Sequence, residues 1–135
     1  MAYKIIDIEG IGPVYAEKLE VAGVKTTDDL LDKADNKKGR EKLAEETGIS
    51  EKLILKWANH ADLFRIKGIA GQFAELLEAA GVDTVKELRH RVPANLHAKL
   101  VETNEARNLC NRVPAVSEIE KMVAQAKELE PRMTY

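Results

Sequence analysis

Part of this chain is written twice. Shifted by 58 residues, Ile8 to Leu31 falls on Ile66 to Arg89, and 12 of the 24 positions are identical. The matches include Gly10/Gly68, Ile11/Ile69, Ala16/Ala74, Leu19/Leu77, Gly23/Gly81, Val24/Val82, Thr26/Thr84 and Leu30/Leu88, with the aromatics Tyr15 and Phe73 in register. A repeat of this length constrains the fold before anything else does, because each copy must be a unit that buries its apolar face against its neighbour. At 135 residues the chain has room for two such units sharing one core.

Each copy carries helix punctuation. Pro13 suits the first position of a helix, where its missing N–H has no intrahelical partner to lose. Gly23 and Gly81 suit the left-handed stop at a helix end. Helices are therefore expected over 13–22 and 71–80. Thr84-Val-Lys-Glu87 is a capping box and Thr26-Thr-Asp-Asp29 a variant with a shorter acid, so a second helix starts soon after each glycine. Ser50 caps a helix carrying Leu53, Ile54, Trp57, Ala58 and Ala61, which leads into the second glycine turn. The first turn has only residues 1–7 ahead of it, enough for about one helical turn. Pro93 opens a helix with Leu96, Leu100 and Val101, and Ser117-Glu-Ile-Glu120 reads as the cap of a last helix with Ile119, Met122, Val123, Ala126 and Leu129 on one stripe. No segment alternates as a strand does, so the fold class is all-α.

Ile8-Glu-Gly-Ile-Gly-Pro-Val-Tyr-Ala16 and Ile66-Lys-Gly-Ile-Ala-Gly-Gln-Phe-Ala74 resemble helix-hairpin-helix motifs, and residues 3 to 130 resemble a bacterial family of tandem hairpin proteins labelled a domain of unknown function. The resemblance implies two SAM-domain-like repeats, 1–62 and 63–135, packed as one pseudo-twofold helical domain. It also implies a binding mode in which amides at the start of the helix after each hairpin hold a DNA phosphate. Glycine serves such a turn by allowing positive φ and close backbone approach, and helix-start amides attract anions. The candidate nucleic-acid-binding residues are Gly10, Gly12, Pro13 and Lys18 at the first hairpin. At the second they are Lys67, Gly68, Gly71 and Gln72, with Arg89 and Arg91 nearby. Contacts to phosphate position a protein without reading sequence.

The charge pattern pulls the other way. The chain has 21 Lys+Arg against 23 Asp+Glu, a net charge of −2, and neither half is basic, whereas gripping phosphates takes clustered cations. Glu9 precedes the first hairpin and Val14 follows Pro13; Ala70 and Gln72 stand at the second where glycine and a basic residue are expected. A partner protein recognised by the same helices, with purely structural glycines, is the competing expectation. Two basic groups remain: Lys33, Lys37, Lys38, Arg40 and Lys42, read as a solvated Lys-Lys-Gly linker, and Lys86, Arg89, His90, Arg91, His97 and Lys99. Leu43 to Ser50, followed by Leu53 and Trp57, resembles the helix-turn-helix of transcription factors, but Ser50, Glu51, Lys52 and Lys56 are a poor set for base readout.

Catalysis has no visible machinery: there is no nucleophile–base–acid pattern and no phosphate-cradling lysine loop, and Gly10-Ile-Gly12 lacks the strand and third glycine of a dinucleotide site. No cofactor is expected. His60, His90, His97 and Cys110 are not at zinc-ligand spacing, so no metal is expected either. The single cysteine excludes an internal disulfide, and with neither a signal segment nor an apolar span the expected location is the cytoplasm, away from membranes. Ile11, Leu19, Leu30, Trp57, Ile69, Leu77 and Leu88 are the expected core.

Overall fold

The computed structural model describes residues 3–69 and 71–135. Ala70, singled out above as a departure in the second turn, lies outside the described residues, as do Met1 and Ala2. The described residues form a single 3₁₀ turn, Ile5–Asp7, and eight α-helices. These are α1 (Pro13–Val21), α2 (Thr27–Ala34), α3 (Lys37–Thr47), α4 (Glu51–Leu63), α5 (Gly71–Ala79), α6 (Val85–Leu88), α7 (Pro93–Arg107) and α8 (Val116–Glu128). They contain no strand, only an isolated bridge between Lys4 and Thr26.

The repeated sequence produces repeated backbone. Gly10 and Gly68 adopt φ of 94° and 96°, and Gly23 and Gly81 adopt 87° and 94°. The Ile11 N–H donates to the Ile8 carbonyl at 3.1 Å, and the Ile69 N–H to Ile66 at 3.2 Å. At the ends of α1 and α5, Val24 and Val82 each donate at 2.8 Å to the carbonyls of Leu19 and Leu77. Thr26 caps α2 by accepting from the Asp29 amide, while the Asp29 carboxylate accepts from Thr26 N–H; Thr84 caps α6 by accepting from Glu87 N–H. Gly12 differs from Gly10, because its φ of −91° is open to any residue.

Packing follows the same period. α2 lies on α3 and α4, and α3 lies on α4; α6 lies on α8, and α7 lies on α8 and α5. α4 also packs on α5. One buried cluster runs from Ile5 to Met133 and takes in all seven expected core residues, and the boundary expected after Asp62 falls inside α4. Trp57 is the largest fully buried side chain. Tyr15 packs against it with ring centres 5.1 Å apart, while Tyr15 and Phe73 are only partly buried at the edge of the core.

Three local expectations need correction. Lys37-Lys38-Gly39 is no linker: Asn36 caps α3 through the Gly39 amide at 2.8 Å. A Cβ at Gly39 would lie 1.9 Å from the Lys33 carbonyl, so glycine is what lets α3 start so close to the end of α2. Arg40, from the same group, is buried at 3 % exposure and donates to the carbonyls of Ala34 and Thr134. Finally, α8 starts two residues early: Ala115 is its N-cap, and its N–H donates to the Glu118 carboxylate at 3.2 Å, leaving Ser117 inside the helix.

Candidate functional site

The two glycine turns match in backbone and differ in surroundings. At the first, Gly10 and Pro13 are exposed and Gly12 is half-buried. Gly12 is the N-cap of α1 and brings no side chain to the first-turn amides, which are left for water or an anion. A Cβ on Gly12 would meet nothing within 4 Å. Lys18 is exposed on the following helix. Four of the ten candidate residues thus share one open end of the molecule.

The second turn has closer neighbours from elsewhere in the chain, although Lys67, Gly68 and Gln72 are exposed and Gly71 is half-buried. The Lys67 amide donates to the Gln125 side-chain carbonyl of α8 at 3.1 Å. A Cβ on Gly68 would sit 3.3 Å from the Met122 methyl. On Gly71 it would sit 3.1 Å from the Asp7 carbonyl and 3.4 Å from the Glu9 carboxylate. Glu9, which precedes the first turn, therefore places its own negative charge at the start of α5, where a helix favours an anion. Burial, and then the Glu9 charge, push the Cys110 thiol upward; Cys110 lines a groove over Gly68, Gly71 and Gln72. The two arginines each bond a carbonyl at the surface: Arg89 donates to the Lys127 carbonyl at 2.9 Å in the last turn of α8, and Arg91 to the Gly81 carbonyl at 3.0 Å. The structure brings Gly68, Gly71 and Gln72 together beside the exposed Lys67, of which only the backbone amide is engaged, while Arg89 and Arg91 each donate to a carbonyl of the chain.

The helix-turn-helix resemblance meets a geometric obstacle. Gly48 does turn the chain between α3 and α4, with φ of 73°. α4, however, lies against α2, α3 and α5, and from Trp57 to Leu63 every residue is buried. Its exposed part is the N-terminal end, with Glu51, Lys52 and the half-buried Lys56, a mixed set that suits base readout poorly.

Two features were not legible as sites. Val14 and Val21 are 67 % and 86 % exposed; with Glu17 and Lys18 they form the outward stripe of α1, opposite the buried Ala16 and Leu19. This stripe and the end of α3, Glu46 and Thr47, line a shallow groove. Val14 and Val21 are seven residues apart, two helical turns, so the signal was present in the spacing.

The second feature is His60, fully buried on α4. Its Nε2 lies 3.1 Å from the Glu78 carboxylate, and Lys56 Nζ lies 3.5 Å from Glu75 and 3.6 Å from Glu78. Burial works against the charge on Glu78, but the hydrogen bond and charge of His60, together with Lys56, outweigh it and hold the carboxyl below its ordinary range. Donor atoms of His60, Glu75 and Glu78 fall within 4.8 Å of one another, as a metal would need. The remaining geometry favours a clip between α4 and α5: Lys56 already faces both carboxylates, and Nδ1 of His60 has no partner. A metal on Nε2 would move the ring proton to that unpartnered nitrogen, and metal-bound histidines depend on a partner there.

Nearby, Asp83 is held above its ordinary range by burial and by the charges of Glu87 and Glu78. No helix among the described residues is long and apolar enough to cross a membrane.

The chain belongs to the family described as "Domain of unknown function (DUF4332)", whose model matches residues 9–129. Neither the curated proteins nor the solved structures contain a match to it.

Proposed function

We propose that the chain is a tandem helix-hairpin-helix protein, with halves 1–62 and 63–135 joined through α4, and that it works as a non-enzymatic protein-interaction module. The observation that carries this reading is the outward stripe of α1: two exposed valines beside the first hairpin. Exposed apolar residues clustered on one helix face mark a contact surface more often than a phosphate site does. The hydrogen bonds of Arg89 and Arg91 to carbonyls of the chain and the net charge of −2 point the same way.

A second reading keeps one supporting observation. The first turn of α1 carries no side-chain cap, so Gly12 and Pro13, with Lys18, suit a single phosphate of a nucleic acid backbone. One such contact gives weak binding that falls with salt at a slope near −0.9 per phosphate. Titration of a duplex at about 50 mM salt separates the two readings, since phosphate contacts are strongest at low salt. No measurable binding is expected. Salt-dependent binding lost in Lys18→Glu would put the nucleic-acid reading first.

A further inference from the structure

The outward stripe of α1 has the pattern of a surface that fits itself. Val14, Glu17, Lys18 and Val21 fall within a sector of about 100° at 3.6 residues per turn. Their order reads the same from either end: apolar, charge, opposite charge, apolar. When two such stripes are laid antiparallel about a twofold axis between Glu17 and Lys18, each Val14 meets a Val21 and each Glu17 meets a Lys18. Laid parallel in register, like charges would meet. Among the described residues, Glu17 and Lys18 form no salt bridge within the chain.

The duplicated fold supplies a second, independent reason to expect a helix on this side of α1. By the 58-residue offset α1 corresponds to α5, which packs against α4 on one side and α7 on another. There Leu76, the counterpart of Lys18, is completely buried, and Glu75, the counterpart of Glu17, pairs with Lys56 of α4. Among the described residues, no helix covers α1 as α4 covers α5.

We propose that this face of α1 is the contact of a homodimer, two copies of the chain meeting through antiparallel α1 helices about a twofold axis. The proposal rests on the interaction reading above and names its partner. A C₂ contact of this kind is self-complementary by construction. α1 is nine residues long, about 14 Å, so with the shoulder of Glu46 and Thr47 the buried area falls at the small end of specific interfaces, below about 1,200 Å². The dimer is therefore weak and forms at high concentration.

Sedimentation equilibrium on the full chain, from micromolar up to about 1 mM, the range of weak contacts, tests it. The expected result is a mass that rises from 15.0 kDa toward twice that value. Val21→Glu, at an 86 % exposed position where the fold has nothing to lose, weakens the dimer at least about tenfold with an unchanged helical circular dichroism spectrum. Glu17→Lys and Lys18→Glu each weaken it, and the double exchange restores it, because position 17 still faces position 18 of the other copy. A 15.0 kDa monomer throughout overturns the dimer. So does self-association untouched by Val21→Glu, or a double exchange that stays weak. If the chain is monomeric but a purified binding protein loses affinity with Val21→Glu, the dimer falls and the interaction reading stands.

Discussion

At the residue scale, two positions carry penalties that composition hides. Gly39 adopts ordinary helical backbone and looks replaceable, yet the Lys33 carbonyl stands 1.9 Å from where its Cβ would be. Gly39→Ala must push α3 off α2, and thermal unfolding should show a loss toward the upper end of the overpacking range of about 1–3 kcal/mol. Gly12→Ala is the control: no neighbour and no positive φ, hence little change. Asp83 differs in kind, being an acid whose folded-state pKa lies above its ordinary value because of burial and then Glu87 and Glu78. A raised acid pKa means that folding favours the protonated form, so ionisation destabilises the fold as pH climbs through the ordinary carboxylate range. Asp83→Asn should therefore raise the melting temperature at pH 7 and lose that advantage near pH 3. Glu78 has the opposite sign, since its folded pKa is depressed. Its stabilising contribution is present at neutral pH and lost as pH falls through that depressed value, so Glu78→Gln should lower the melting temperature at pH 7 and converge on the parent in acid.

At the element scale, start signals were legible where cap and acid sit in their usual order, and misleading where another hydrogen bond took over. Thr26 and Thr84 cap α2 and α6 as their spacing predicts. Ser117 looks equally good in sequence, but the Ala115–Glu118 hydrogen bond starts α8 earlier and turns Ser117 into an ordinary helical residue. Thr26→Ala is expected to cost about 1 kcal/mol and Ser117→Ala almost nothing, as denaturant midpoints would show. A Ser117 effect of the same size would mean that α8 starts where the sequence suggested. The Lys-Lys-Gly segment was misread for a related reason. Lysines and a glycine look like a linker until Asn36 is seen capping them and Gly39 is seen against α2.

At the scale of the whole molecule, the two halves are fastened by contacts far apart in sequence. After α8 the chain returns across the first half. Arg132 pairs with Asp32 and Asp35, Arg40 donates to the Thr134 carbonyl at 2.7 Å, and Tyr135 donates to Asn59. Deleting residues 131–135 leaves the buried Arg40 short of an acceptor and should lower stability by about 2 kcal/mol, the range for hydrogen bonds to charged groups. Unfolding should remain one cooperative step, since a single buried cluster spans both halves; two separate transitions would contradict a shared core. The all-helical class, the positive φ at Gly10, Gly23, Gly68 and Gly81, and the expected core residues were all determined by the sequence alone. Each follows from local backbone sterics or from apolar periodicity, which neighbouring residues set. What surrounds each glycine turn was decided only by the tertiary structure. Glu9 at the start of α5, Gln125 on the Lys67 amide and the carbonyls that hold Arg89 and Arg91 come from elsewhere in the chain, up to 62 residues away, and no local pattern encodes where a distant side chain ends up.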